Sequence, residues 1–169
     1  MYIFIFDLDN TLLDTNGIKN KWYILSKKYN NEMNFYSLIK KDKILNKLLT
    51  ILPYPKYILS NASRYHVINS LKYLGITNLF QNIIDRDITI TLKPNLNNYI
   101  TAINNINYSN IYNYIFFDDL VSNLITAKYI GWITVLIGKK HINHPAVDYS
   151  FNNINSALIF FLKKLNVIE

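Results

Sequence analysis

The chain contains no cysteine. Disulfides, thiolate metal sites and cysteine nucleophiles are thereby excluded, which fits a reducing compartment. Glycine and proline are scarce, at four each, and no Gly/Ser-rich linker or internal repeat is present. The 169 residues therefore read as one domain, with room for a small inserted subdomain. No apolar run approaches the roughly 18 residues of a membrane span. The opening apolar run, Tyr2 to Phe6, is stopped by Asp7, and no basic region precedes it, so it is not expected to act as a secretory signal. A soluble, cytoplasmic protein with no membrane partner is the expectation. Asn, Ile, Tyr and Lys are abundant throughout, as AT-rich codons dictate. In a viral gene the compartment would be the host cytoplasm.

Acidic side chains are also few: 11 against 18 Lys and Arg, a formal charge of +7. Modest positive charge suits an anionic substrate, either a phosphate ester or nucleic acid. No dense basic block appears, and the lysines are spread along the chain in the manner of solvated helix faces. Nucleic acid is thus a secondary expectation. The apolar fraction of 50% and charged fraction of 17% describe a globular chain.

Four short apolar, β-rich runs stand out: Tyr2 to Phe6, Tyr57 to Leu59, Tyr112 to Phe117 and Trp132 to Ile137. Asn82 to Ile84 is a shorter candidate, and Asp148 to Ser150 reads as an edge strand. Helical spacing lies between them, at His66 to Leu74 with Gly75 as its stop, Asn95 to Ile106 after Pro94, Ser122 to Ile130 closed by Gly131, and Asn153 to Leu165. The alternation predicts an α/β fold with a mostly parallel sheet covered by helices on both faces. In such sheets ligands bind beyond the carboxyl ends of the strands. Residues 15–50 break the alternation. Trp22, Tyr23, Leu25, Tyr29, Phe35, Leu38, Ile44, Leu45 and Leu48, with lysines between them, read as two or three amphipathic helices inserted after the first strand.

Four elements carry chemistry. In Asp7-Leu8-Asp9-Asn10-Thr11, alternation along an extended chain would aim both carboxylates past the sheet edge. Two like charges so placed call for a cation or a proton between them, and magnesium favours carboxylate and carbonyl oxygens. One carboxylate can then attack phosphorus while the other moves protons. A turn or helix cap is the plainer reading. Ser60-Asn61 ends the next strand and offers a hydroxyl and backbone N–H groups to a phosphoryl oxygen, or simply a helix cap. Lys93, before Pro94 and a helix start, can neutralise phosphate and aspartate, although a lone lysine is usually solvated. Asp118-Asp119, with Ser122 and Asn123 beyond, would complete an oxygen shell for a metal. Capping by one of the pair would leave the other unexplained.

In this order, the four elements resemble the haloacid dehalogenase superfamily, whose phosphatases carry Asp-x-Asp-x-Thr, then Ser or Thr, then Lys, then a paired acidic motif. The resemblance spans roughly residues 2–150. The nearest branch is the pyrimidine 5′-nucleotidase-like one, through Phe6 to Leu12, Leu59 to Ala62, Leu71 to Ile76, Leu92 to Pro94 and Phe116 to Leu120. Asn10 stands where most relatives have glycine. The resemblance implies a Rossmann-like three-layer α/β/α sandwich. Its catalytic core would be 1–14 and 51–169, with 15–50 as a small helical cap. It implies Asp7 as the nucleophile, Asp9 as general acid and base, and Thr11, Ser60 and Asn61 around the phosphoryl oxygens. Lys93 would balance charge. Mg2+ would be held by Asp7, the Asp9 carbonyl, Asp118 and Asp119, with Asp119 favoured as a direct ligand. Dehalogenases lack an acid at the Asp9 position, which favours phosphoryl chemistry.

The expected activity is thus Mg2+-dependent hydrolysis of a small phosphate monoester, with a nucleoside 5′-monophosphate as one candidate. A nucleic-acid end, a phosphoprotein, or a non-catalytic interaction role on the same fold are the alternatives, since the cap is short for the branch. Trp22, Tyr23, Tyr29, Phe35 and Tyr36 offer either rings to stack on a base or a packed cap interior, or a dimer surface. Arg64 and His66 follow Ser60 closely enough to reach a substrate anion. His141, His144 and Asp148 suggest zinc only weakly, because loop polar residues account for them.

Overall fold

The computed structural model describes residues 1–28, 34–106, 112–138 and 142–169. Its strands are β1 (Tyr2–Phe6), β2 (Lys56–Leu59), β3 (Asn82–Ile84), β4 (Asn113–Asp118), β5 (Ile133–Ile137) and β6 (Tyr149–Phe151). They form one sheet in the order β3-β2-β1-β4-β5-β6, and every pairing is parallel. The helices are α1 (Thr15–Lys28), α2 (Lys43–Ile51), α3 (Arg64–Leu74), α4 (Leu96–Ile106), α5 (Val121–Tyr129) and α6 (Ile154–Lys164).

Strand alternation builds two apolar faces. Phe4 and Phe6 of β1, with Ile58 and Phe117, meet α2, α3 and α6 through Leu45, Leu49, Val67, Leu71, Leu158 and Phe161. Ile3 and Ile5, with Leu59 and Phe116, meet α4 and α5 through Tyr99, Ala102, Leu124 and Ala127. The result is a three-layer α/β/α sandwich whose central strands are apolar on both sides, as continuous hydrophobic runs require. Phe6 and Phe117 stack with centroids 4.8 Å apart and lock β1 to β4 directly beneath the aspartates.

Helix ends follow local chemistry. Ser63 accepts from the His66 N–H at the start of α3, and Gly75 ends that helix at φ 79° with its N–H on the Leu71 and Lys72 carbonyls. The edge strand lies one residue beyond its expected position. The Asp148 carboxylate is occupied by the Thr134 N–H and hydroxyl, at 2.9 and 3.0 Å, and pairing starts only at Tyr149.

The segment 15–50 divides in two. α1 and a 3₁₀ turn at Phe35–Leu38 lie together at the carboxyl edge. α2 instead packs against α6 and buries Leu45, Leu48 and Leu49 in the first core face. Tyr29 lies outside the described residues. α1 buries only Thr15 and Ser26, and it leaves Tyr23 and Ile24 more than half exposed. Ile18, Trp22 and Leu25 are half-buried, and Ile18 packs against the first core face together with Phe35 and Tyr36.

Candidate active site

The sheet order reverses direction around β1. The chain runs outward through β2 and β3, then returns to the other side at β4. That switch point opens a crevice at the carboxyl ends of β1, β2 and β4. Asp7, Ser60 and Asp118 stand at those three ends.

The Asp7 N–H still bonds the Phe117 carbonyl at 2.9 Å, so the sheet ladder fixes its backbone. Immediately after it the chain coils. The Leu8 carbonyl accepts from the N–H groups of Thr11, Leu12 and Leu13, and Asn10 takes φ 61°. Asparagine tolerates this left-handed conformation better than most residues, which explains how it can replace glycine here. The coil turns Thr11 inward, where its hydroxyl is buried with no hydrogen-bond partner among the described contacts. A buried, unsatisfied hydroxyl beside the nucleophile candidate fits a phosphoryl oxygen.

Lys93 links the strand ends. Its Nζ donates to Asp7 Oδ1 at 2.7 Å, Asp118 Oδ2 at 2.8 Å and the Leu59 carbonyl at 2.8 Å. Its side chain is 1% exposed, so this lysine is far from the solvated norm. Asn61 positions it: the Asn61 Nδ2 donates to the Lys93 carbonyl at 2.9 Å, and the Lys93 N–H donates back to Asn61 Oδ1 at 2.8 Å. The Asn61 side chain is thus used for holding Lys93. Asp118 is fully buried and accepts from Lys93, from the Leu120 N–H, and from Asn123 Nδ2 on both oxygens. Tyr99 donates to the Asn123 carbonyl at 2.7 Å and supports that contact from beneath.

One carboxylate oxygen each from Asp7, Asp118 and Asp119 lies within 4.8 Å of the others, the arrangement a small oxygen-seeking cation requires. Electrostatics support the same fit. Burial pushes the Asp7 carboxyl up to about 7, against the opposing pull of Lys93 and with the Asp118 charge adding to the rise. Burial and the Asp118 charge push Asp119 up to about 6. Burial alone would lower the Lys93 pKa, but the charges of Asp118 and Asp7 outweigh it and raise it. Lys93 offsets one of the three carboxylate charges, and a divalent cation would balance the other two.

A carboxyl whose folded pKa is raised loses stabilisation as pH climbs from its ordinary value toward the raised one. Metal-free wild type is therefore expected to lose thermal stability relative to Asp7→Asn as pH rises from 3.8 toward about 7. The difference should reach about 10 °C and shrink when Mg2+ is added above pH 7. Thermal melts of both proteins across that range check this.

Asp9 lies on the other side of the crevice, with its side chain 32% exposed. Burial works to raise its pKa, but hydrogen bonds from His66 and Thr15 outweigh that and lower it. Thr15 Oγ1 donates to Asp9 Oδ1 at 2.5 Å, and His66 Nε2 stands 3.0 Å from the same oxygen. Thr15 was not legible as a site residue from sequence, and Tyr36 drew notice only as a ring to stack on a base, because only folding brings Thr15 onto Asp9 and the Tyr36 hydroxyl onto His66.

The remaining candidates are distributed as follows. Ser60 is buried, and its hydroxyl accepts from the Ala62 N–H at 3.1 Å. Arg64 is not brought to the crevice: its Nε pairs with buried Asp85 at 2.7 Å and its Nη2 bonds the Ile83 carbonyl at 3.2 Å. Trp22 and Tyr23 line a cavity of about 550 Å³ together with Lys19, Phe35, Tyr36 and His66. His144 Nδ1 accepts from the Ala146 N–H, and Asp148 is held by Thr134 and Lys128, while His141 lies outside the described residues. Among the described residues no helix is long and apolar enough to cross a membrane.

No family model matches the sequence. Solved structures do. The putative HAD-hydrolase YfnB from Bacillus subtilis, bound to magnesium, matches with a TM-score of 0.76 at 13% identity, over 98% of each chain. A HAD phosphatase from Thermococcus onnurineus matches at 0.69 and 17%, again over 98% of each chain. The L-2-haloacid dehalogenase from Xanthobacter autotrophicus matches at 0.70 and 14%, over 95% of this chain and 98% of that one. At such identities the likeness establishes the fold: this chain has the haloacid dehalogenase fold, which phosphatases and dehalogenases share. The likenesses do not single out the nucleotidase-like branch.

Proposed function

We propose that this chain is a magnesium-dependent phosphohydrolase that cleaves a phosphate monoester through an aspartyl-phosphate on Asp7. The observation that carries this reading is the cluster of Asp7, Asp118 and Asp119 around Lys93, with a further carboxylate, Asp9, held apart by its own donors. A dehalogenase needs neither the acidic cluster nor a leaving-oxygen acid.

Asp119, Asp7 and the Asp9 carbonyl would hold Mg2+, with Asp118 nearest as a partner to Lys93 and Asn123. The ion supplies charge neutralisation for the phosphoryl group and its nucleophile. Asp119 is the freer carboxylate, since the Asp118 oxygens are already occupied by protein donors. Asp7 attacks phosphorus in line. Its oxygen–phosphorus bond forms as the bond to the leaving oxygen breaks, and Asp9 gives that oxygen a proton. Water then attacks phosphorus, Asp9 takes the water's proton, and the bond to Asp7 breaks. Asp9 is ionised in the free protein, the form needed for the second step. The anionic phosphoryl group beside it raises its proton affinity for the first. Thr11 and Ser60 hydroxyls and the Asn61 N–H hold the phosphoryl oxygens, and Lys93 keeps Asp7 oriented.

The cap consists of α1 and the following 3₁₀ turn, and α2 counts with the core. The aromatic cavity beneath the cap has the volume and lining of a small-molecule site. It favours a planar leaving group, such as the nucleoside of a 5′-monophosphate. Trp22→Ala is expected to raise KM for nucleoside monophosphates about tenfold and to leave kcat within about twofold; steady-state kinetics on a nucleotide panel check this.

Phosphate release from an aryl phosphate and the nucleotide panel, with and without Mg2+, tests the whole reading. Release that needs Mg2+ supports it. A folded protein that releases nothing from any of them contradicts it.

A further inference from the structure

We infer that His66 is a positioning residue for Asp9, tying that carboxylate to the cap through Tyr36 and leaving one oxygen free for proton transfer. The inference rests on the phosphohydrolase reading and deepens it.

Two donors converge on the same atom. Thr15 Oγ1 and His66 Nε2 both meet Asp9 Oδ1, at 2.5 and 3.0 Å. With both on Oδ1, the carboxylate cannot rotate without losing two hydrogen bonds, and Oδ2, which no donor among the described residues meets, is the oxygen that carries the proton. The other ring nitrogen of His66 is also engaged: Nδ1 lies 3.2 Å from the Tyr36 hydroxyl. With that hydroxyl donating to Nδ1, the hydrogen sits on Nε2 and points at Asp9, so one tautomer serves both contacts.

The ring is fixed from every side. His66 sits in the first turn of α3, where the Ser63 cap holds its N–H. The rings of Phe35 and Tyr36 lie against it with centroids 6.1 and 5.7 Å away. Thr15 begins α1, and Tyr36 belongs to the 3₁₀ turn at the far end of the cap. Asp9 is therefore held from both ends of the cap, directly by Thr15 and through His66 by Tyr36. His66 and Tyr36 also line the aromatic cavity. A leaving group seated there rests against the same side chains that aim its acid.

Positioning of a general acid has a signature that a structural role lacks: it matters most when the leaving oxygen most needs a proton. The experiment measures kcat and KM of wild type, His66→Ala, His66→Gln and Tyr36→Phe on two substrates. One is 4-nitrophenyl phosphate, whose leaving group departs readily without a proton. The other is an alkyl phosphate, whose leaving group does not. For His66→Ala, kcat on the alkyl ester is expected to fall about 30-fold, with KM within about threefold, while kcat on the aryl ester falls by about threefold or less. His66→Gln retains an N–H donor and should recover much of the alkyl activity. Tyr36→Phe should lose in the same direction by a smaller factor. Equal losses on both esters, a change confined to KM, or no loss at all would overturn the role of His66. If His66→Ala does not fold, the Gln and Phe variants decide by the same comparison. A wild type that releases phosphate from neither ester overturns the phosphohydrolase reading itself, and the inference with it.

Discussion

Asp7→Asn is expected to lower phosphate release by about 10⁴-fold or more on every substrate the wild type hydrolyses. The amide is nearly the same size as the carboxylate, so packing at the end of β1 is preserved. It cannot attack phosphorus, and Lys93 cannot restore nucleophilicity to it. The protein should remain folded, and in the metal-free state it should be at least as stable as wild type at neutral pH. The reason is the cost that burial places on the Asp7 charge. Steady-state assays beside thermal melts separate the two effects. Loss of activity together with loss of fold would point to a structural role for Asp7.

Lys93→Met is expected to destabilise the protein by about 3–5 kcal/mol, the usual cost of removing one partner from a buried charge cluster. Nζ makes three contacts below 3 Å, two to carboxylates and one to the Leu59 carbonyl, and methionine replaces none of them. The variant then buries Asp7 and Asp118 beside Asp119 with no compensating cation. Its deficit should be greatest above about pH 7, where Asp7 is ionised, and smaller in acid, where the carboxyls protonate. The Asp7→Asn/Lys93→Met double variant should be more stable than Lys93→Met alone, because one of the unpaired charges is gone. Urea melts at two pH values measure all of this. A gain from Asp7→Asn no larger without Lys93 than with it would mean that Lys93 acts through packing and not through charge.

Much of this arrangement was legible before folding. The strand runs end where the chemistry begins, so Asp7, Ser60 and Asp118 fall at strand ends for the same reason they draw notice in the sequence. Their convergence follows from a parallel sheet with a switch point at β1. Where sequence reasoning was less able to see, the cause is tertiary. Asn61 reads as a phosphate ligand through its backbone N–H, and only the fold shows that its side chain clasps the peptide of Lys93, a residue 32 positions away. Arg64 looked like a free cation, but Asp85 on the loop after β3 captures it. α2 is the more apolar of the two helices, with Leu45, Leu48 and Leu49 on one face, and it packs against α6, whereas α1 buries only Thr15 and Ser26. Thr15 carries no motif and Tyr36 offered only its ring, and their contacts to Asp9 and His66 arise from the way α1 and the 3₁₀ turn fold back over Asp9.

Covalent catalysis by Asp7 implies a phosphorylated protein that rapid quenching can trap. Wild-type protein would be mixed with a radiolabelled phosphate ester and Mg2+, quenched in acid within milliseconds, digested, and its peptides analysed by mass spectrometry. Label is expected on the peptide containing Asp7, removed by hydroxylamine and absent from Asp7→Asn. Phosphate release without any trapped label, or label on a different side chain, would contradict covalent catalysis by Asp7.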